Sequence, residues 1–412
     1  MVDEFGNVEF IAEPTDSQIL TAVDPSVKGH QDGWRAEVMG WAPAPALPLP
    51  RVASGRNRIV NISIFFLIIL VVWMIWRSQI IQGLEAQPES SEWVFESTGV
   101  RALQAQGLTG AGVSVCIVDT GIDSSHPDLD HLSYTFTDLW GSSATAVDHG
   151  NLAHGTLMVG LLAADGHQKG IAPAIRLGIV AALGDDGMGN NSGSESLVAD
   201  AIRWCWQSFG ADIISLSLGG IQDQNQTREG QSVSAVRQAL DHGVFVVAAV
   251  GNDGGIGDDG LVAVPGNVDL VITVGASDSG GKMWNGSSMG SQIADDGLAR
   301  LHPNQKPEVV APGVAVISTG NNGHYYASTG SSISTVIITG ILALILEDNP
   351  RLKSDGVTVN SNCIEAVKLA LRSSSVAPIA GVDHDDHWGY GVVSATAWAQ
   401  EAEKIVDCSS QS

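Results

Sequence analysis

Residues 113–123 read VSVCIVDTGID, and the fold follows from this stretch. Valine, cysteine and isoleucine run on from Val113 to Val118 with only Ser114 between them. The run stops at a carboxylate, Asp119, followed by Thr120 and Gly121. An unbroken apolar run of this length, closed by a turn signal, suits a strand covered on both faces, as in a parallel sheet. The same character returns at 177–182 (LGIVAA), 213–218 (IISLSL), 244–250 (VFVVAAV) and 270–274 (LVITV). Helical patterns at 197–209 and 233–242 lie between these runs. Strand and helix in alternation predict an α/β fold, a doubly wound, mostly parallel sheet flanked by helices. In such folds functional groups gather at the carboxyl ends of the strands.

Those ends carry reactive side chains. Asp119 closes the first run. His154-Gly-Thr opens an apolar stretch over 154–164. The run at 244–250 passes into Gly251-Asn252-Asp253, and Gly330-Ser-Ser332-Ile-Ser precedes the apolar run 336–346. A serine hydroxyl is too weakly acidic to attack a carbonyl unaided. An imidazole can take its proton, and a carboxylate can hold that imidazole in one tautomer. Singly, each residue has a plainer reading. Ser331, Ser332 or Ser334 can cap a helix, His154 can be a satisfied polar residue at a helix start, Asp119 can cap a strand end, and Asn252 can sit in a turn.

Taken together and in this order, the groups resemble the subtilisin-like serine proteases. The resemblance runs from about Trp93 to Ala399. It includes Ser217-Leu-Gly-Gly220, Val264-Pro265-Gly, Ala311-Pro-Gly313 and Trp388-Gly-Tyr-Gly391. It implies a serine endopeptidase with Ser332 as nucleophile, His154 as base, Asp119 as the orienting carboxylate and Asn252 as an oxyanion donor. The pattern of a glycine and a small hydroxyl residue before the nucleophile selects Ser332 over Ser331. The presence of both His154 and Asn252 argues against the acid-pH sedolisin branch. The resemblance further implies a polypeptide substrate bound as an extended strand between Ser217, Leu218 and Gly219 on one flank and Gly187, Met188 and Gly189 on the other. Ala249, Gly251 and Ala263 would line the pocket for the residue before the cleaved bond, with Asp253 at its rim and a medium-sized apolar side chain inside. No cofactor is implied, and the chain is expected to act as a monomer.

The pattern departs from the family in places. Val336 stands where a proline is common near the start of the helix behind the nucleophile, and Leu157 where a second histidine is common. These changes raise an alternative, a catalytically inactive peptide-binding module of the same fold. Asp128 matches a ligand position of the family's calcium site, but the loop 164–170 is short and its partner ligands look deleted, so no such site is expected. Asp383-His-Asp-Asp-His387 has metal-capable side chains, yet solvated loop charge is the preferred reading, and no metal is expected. Cys116, inside the first run, reads as a small buried hydrophobe. Cys363 and Cys408 are candidates for a disulfide.

Forty-five acidic residues against 20 basic ones give a formal charge of −25, which disfavours a nucleic-acid partner. Residues 59–76, IVNISIFFLIILVVWMIW, carry no charge. At about 1.5 Å per residue such a helix roughly spans a hydrocarbon core of about 30 Å. Arg51, Arg56 and Arg58 precede it, and Arg77 alone follows at once. The positive-inside rule then leaves 1–58 as an acidic, Pro-containing cytoplasmic tail, 59–76 as one transmembrane helix, 77–92 as a tether and 93–412 as an extracytoplasmic peptidase domain on the cell membrane. The tether has no room for an inhibitory prodomain, so control by tethering or by a partner in trans is expected.

Overall fold

The computed structural model describes residues 90–408 apart from 221–228, 295–296, 355–360, 379–380 and 407, together with Leu67 and Ile69. The expected tail, the tether and all but those two positions of the expected membrane helix therefore lie outside the described residues.

The centre is a seven-stranded parallel sheet in the order β2-β3-β1-β6-β7-β8-β9. Its strands are β1 (Ser114–Asp119), β2 (Tyr134–Asp138), β3 (Arg176–Ala181), β6 (Ile213–Leu216), β7 (Phe245–Ala249), β8 (Ile272–Ser277) and β9 (Val309–Pro312). Two small ribbons complete the strands: β4 (Gly184–Asp185) pairs with β5 (Asn191–Ser192), and β10 (Val316–Thr319) with β11 (Tyr325–Ser328). The five runs read from the sequence are β1, β3, β6, β7 and β8. Their residues are buried, apart from the exposed Arg176 at the start of β3. The edge strand β2 was not predicted, because YTFTD mixes aromatic residues with threonines and is only partly buried. The short β9 was also missed.

The helices are α1 (Glu92–Ser97), α2 (Val100–Gln104), α3 (His154–Ala163), α4 (Glu195–Trp204), α5 (Gln231–Asp241), α6 (Ser331–Asp348), α7 (Asn362–Ser374) and α8 (Ala395–Glu403). Helix α6 packs against β6, β7, β8, β9 and α3, and every residue from Ser331 to Leu346 is buried. A fully buried leucine or isoleucine contributes about 1.5–3 kcal/mol, so this helix is a main source of core stability. Its buried hydroxyls are satisfied. Ser334 donates to the Ala311 carbonyl (2.9 Å) and Thr339 donates to the Thr335 carbonyl (2.9 Å). Val336 is fully buried in the second turn of α6 rather than the first.

Cys116 is buried but not a free hydrophobe. It is bonded to Cys205 in the π-turn that continues α4, which ties that helix to the middle of the sheet. The sequence reading missed this because the partners are 89 residues apart. Cys363 and Cys408 are also bonded, fastening the last described residues to α7.

Candidate active site

Three loops meet at the carboxyl edge of the sheet. Asp119 is the last residue of β1. Ser217 follows β6, the neighbouring strand, whose register pairs Ile117 with Ser215. Asp119 and Ser217 thus stand at the ends of neighbouring strands, on the same edge of the sheet. Asn252 follows β7, the next strand along.

Helix α3 starts at His154, whose Nδ1 lies 2.7 Å from Asp119 Oδ1, with both side chains buried. Because a carboxylate only accepts, Nδ1 carries the proton, and in the neutral ring Nε2 is left as an acceptor. The Thr120 N–H donates to the same Asp119 oxygen (2.7 Å), fixing the carboxylate. Burial works against the charged imidazole, but the charge and hydrogen bond of Asp119, with the charge of Asp148, outweigh it and hold the pKa of His154 above the ordinary histidine value.

Ser332 is the second residue of α6 and is buried. Its hydroxyl donates to the Ser217 carbonyl (3.0 Å), while the Ser217 hydroxyl donates to the Ser332 carbonyl (2.9 Å). Ser331, next to it, has a different task. Its N–H donates to Asn252 Oδ1 (2.9 Å), and its hydroxyl donates toward the same oxygen (2.9 Å) and the Gly251 carbonyl (3.0 Å). With its oxygen committed to Ser331, the Asn252 amide has its NH2 end as the donor. The sequence singled out Asn252 but gave no sign that Ser331 orients it.

Gly187, Met188 and Gly189 form the turn of the β4–β5 ribbon. The two glycines adopt positive φ (76° and 95°), and Met188 is exposed. Asn151 Nδ2 donates to the Gly189 carbonyl (2.7 Å), so this flank is fastened to the loop that leads into His154. On the other flank, Gly220 and Val264 exchange backbone hydrogen bonds of 2.9 Å, which brings Ala263 beside Gly219. A Cβ on Gly219 would stand 2.5 Å from the Ala263 Cβ, and one on Gly251 would stand 3.4 Å from it. Gly219, Gly251 and Ala263 are therefore one cluster, and Ala249 adjoins it through the hydrogen bond from the Ala263 N–H to the Val250 carbonyl (2.9 Å). Leu218 is buried. Ser288 completes this wall. Its hydroxyl donates to Asp253 Oδ1 and its N–H to the Gly251 carbonyl. No sequence signal linked it to a segment 35 residues away.

The residues named for metal binding are engaged elsewhere. Asp128 accepts from the N–H groups of His167 and Gln168 (both 2.9 Å) and from the Tyr325 hydroxyl (2.7 Å). Both carboxylate oxygens of Asp128 are thus satisfied by protein donors. The segment Asp383-His-Asp-Asp-His387 is not simply solvated. His384 Nε2 donates to the Pro307 carbonyl (2.8 Å), His387 Nε2 donates to the Ser287 carbonyl (3.0 Å), and Asp385 accepts from the N–H groups of His387 and Trp388 (both 2.9 Å). The loop is a half-buried clasp on the segment next to Ser288. Asp383 alone keeps the exposed character expected of the whole run. Among the described residues no group of three or more His, Cys, Asp or Glu side chains could hold a metal ion.

The subtilase family profile, Peptidase_S8, matches residues 110–389. Subtilisin DY of Bacillus licheniformis is 33% identical over 304 residues, 72% of this chain and 94% of that protein. Serine protease AprX of Bacillus subtilis (strain 168) is 32% identical over 276 residues, 61% of this chain and 61% of its own length. Among solved structures, the prenylagaramide maturation protease PagA shares the fold, with a TM-score of 0.57 and 24% identity, covering 74% of this chain and 98% of that one. With a parallel sheet of this order, an Asp–His pair and a serine at its carboxyl edge, and a family match over most of its length, the chain belongs to the subtilase family of serine endopeptidases.

Proposed function

We propose that the chain hydrolyses peptide bonds with Ser332 as nucleophile, His154 as general base and then acid, Asp119 as the orienting carboxylate and Asn252 as oxyanion donor, on a domain tethered to the outer face of a membrane. The observation that carries this reading is the buried 2.7 Å contact of His154 with Asp119, one strand away from the Ser217 carbonyl that accepts the Ser332 hydroxyl.

An extended peptide would lie between Ser217, Leu218, Gly219 and the Gly187, Met188, Gly189 turn, pairing main chain to main chain. The Ser332 hydroxyl turns from the Ser217 carbonyl to Nε2 of His154, a change expected as a resting site tightens around substrate. As Oγ bonds to the scissile carbon, Nε2 takes the hydroxyl proton. The carbonyl oxygen becomes an oxyanion facing the Asn252 amide and the Ser332 N–H. The amine then leaves with the proton from Nε2, and water attacks the acyl-enzyme with the same base. Loss of one oxyanion donor costs about 100- to 1,000-fold in rate, a size known from subtilisin itself. The Gly219, Gly251 and Ala263 cluster suits a medium-sized apolar side chain in the pocket.

The tether rests on the uncharged segment 59–76 with three arginines just before it and one just after. The disulfides Cys116–Cys205 and Cys363–Cys408 suit an oxidising compartment.

The test is full-length chain in membranes, treated with a fluorophosphonate probe and assayed on casein. Labelling and hydrolysis should both occur, and Ser332→Ala should abolish both. Absence of both across several salt and pH conditions would refute the enzyme reading. Protease added to intact cells should remove a C-terminal tag and spare an N-terminal one, and the reverse pattern would overturn the orientation.

A further inference from the structure

Helix α3 begins at the histidine without a cap of its own. The preceding Ala153 has no side-chain oxygen, and Leu152 and Ala153 both take left-handed backbone conformations (φ 54° and 53°) that such residues rarely adopt. The first turn of a helix nevertheless has N–H groups to satisfy. Here they are met from a distance. The Gly155 N–H donates to the Thr120 hydroxyl (2.8 Å), and the Thr156 N–H donates to Asp148 Oδ2 (2.8 Å).

Asp148 joins these two contacts. Its Oδ1 accepts from the Thr120 hydroxyl (2.6 Å) and the Gly150 N–H (2.9 Å), and its Oδ2 accepts from the Thr156 hydroxyl (2.6 Å) as well as the Thr156 N–H. Thr120 is also the residue whose N–H fixes Asp119. One carboxylate thereby braces both sides of the Asp119–His154 hydrogen bond and holds down the strained turn between them.

We propose that Asp148 is a positioning residue for the catalytic pair, a remote cap that sets His154 against Asp119 and adds a second negative charge behind the imidazole. The inference rests on the serine endopeptidase reading given above. A carboxylate at a helix start also suits the positive end of the helix dipole. The titratable groups around this network are Asp119 and Asp123 from the β1 loop, Asp138 at the end of β2, His149 beside Asp148, and Asp185 from the β4–β5 ribbon. His149 is paired with Asp138 (2.8 Å), and Asp123 binds Ser125 and Asn322 rather than His154. From α6 and the loop after β6 come the hydroxyls of Ser332 and Ser217. The charge of Asp148 acts on His154 together with that of Asp119, while burial raises the pKa of Asp148 itself against the hydrogen bonds from Thr120, Thr156 and Gly150 that favour its charged form.

The test compares Asp148→Asn, Thr156→Val and the parent full-length chain. Asp148→Asn should lower kcat by about 10-fold or more with KM changed less than about threefold, since it disturbs alignment rather than the substrate flanks. Removing a negative charge near an imidazolium lowers its pKa, so the acid limb of kcat/KM should move to lower pH by roughly half a unit or more. Thr156→Val should lower kcat but leave the acid limb in place, because it removes a hydrogen bond and no charge. Asp148→Glu should recover the acid limb toward that of the parent. The imidazole titration of His154, followed by 15N NMR, reads the same shift without turnover and serves if a variant is too weak to assay. A parent that neither labels nor hydrolyses counts against the endopeptidase reading. An active parent whose Asp148→Asn variant keeps both kcat within twofold and the histidine titration unchanged overturns this inference.

Discussion

Ser332 and Ser217 hold each other by two reciprocal hydrogen bonds, each hydroxyl donating to the other's backbone carbonyl at 3.0 and 2.9 Å. The pair joins the second residue of a buried helix to the end of a central strand. It fixes where the Ser332 hydroxyl, the proposed nucleophile, rests. Ser217→Ala keeps the carbonyl that accepts from Ser332 but loses the return bond. Stability should fall by about 1 kcal/mol, the net worth of one buried hydrogen bond, and fluorophosphonate labelling should slow without disappearing. Chemical denaturation and labelling kinetics on the same sample check both effects.

Adjacent serines should behave very differently. Ser332→Ala should remove labelling altogether. Ser331→Ala should keep it, because that hydroxyl is bonded to the Asn252 amide oxygen and the proposed nucleophile is Ser332. The backbone N–H of residue 331 still holds Asn252 Oδ1 after the change, so kcat should fall by about 10-fold, less than the roughly 100- to 1,000-fold expected for Asn252→Ala. Equal losses for Ser331→Ala and Asn252→Ala would mean that the hydroxyl does more than orient the amide.

In the proposed reaction the raised pKa of His154 sets the acid limb. Burial opposes the imidazolium, but Asp119 and Asp148 favour it, so kcat/KM should begin to fall at a pH above the ordinary histidine value of about 6.5. The linkage to stability has a definite sign. A histidine whose folded pKa is raised contributes stability that is full below its unfolded pKa and is lost as pH rises through the folded one. The stability advantage of the parent over His154→Gln should therefore be full below about pH 6.5 and shrink as pH rises from there through the raised folded pKa, as followed by thermal unfolding.

A buried charge cluster lies away from the site. Glu308 Oε1 accepts from both Lys306 (2.9 Å) and Lys368 (2.7 Å), and all three side chains are buried. Burial pushes Lys306 down to about 7 from 10.5, with Glu308 opposing and the Lys368 charge adding to the fall. Between those values the unfolded chain binds more protons, so stability should rise with pH across that window. Lys306→Met should reduce the slope at little cost, because Lys368 still pairs with the carboxylate, and what remains of the slope belongs to Lys368, whose own pKa burial also lowers. Glu308→Gln should cost roughly 3–5 kcal/mol by leaving ammonium groups buried without their counter-charge. Urea denaturation between neutral and alkaline pH measures both. A Lys306→Met variant as unstable as Glu308→Gln would show that the lysine, not the carboxylate, holds the cluster together.

The strands legible in the sequence were those buried on both faces, since only a continuous apolar run marks them. The edge strand β2 escaped because its residues are shared between core and solvent. Asp119, His154, Asn252 and Ser332 stood out as candidates because each lies where an apolar run opens or closes and because their order matches a known pattern. Ser331, Ser288, Thr120 and Asp148 did not. Their contacts join segments that are distant along the chain or turn on the exact direction of a short polar side chain, and neither has a period or a spacing. Cys116 was misread for the same reason, because burial shows in a local pattern and a partner 89 residues away does not.

By itself, then, the amino-acid sequence determined the parallel sheet and the family, and it singled out the groups proposed to react, because periodic burial and short motifs are local properties of the chain. The tertiary structure alone decided how those groups are held. It gave Ser331 to Asn252, Ser217 to Ser332, three protein donors to Asp128 and a remote carboxylate to the helix of His154. Each of these is a hydrogen bond with a direction and a length of about 3 Å, and such a bond exists only once the sheet has brought its two ends together.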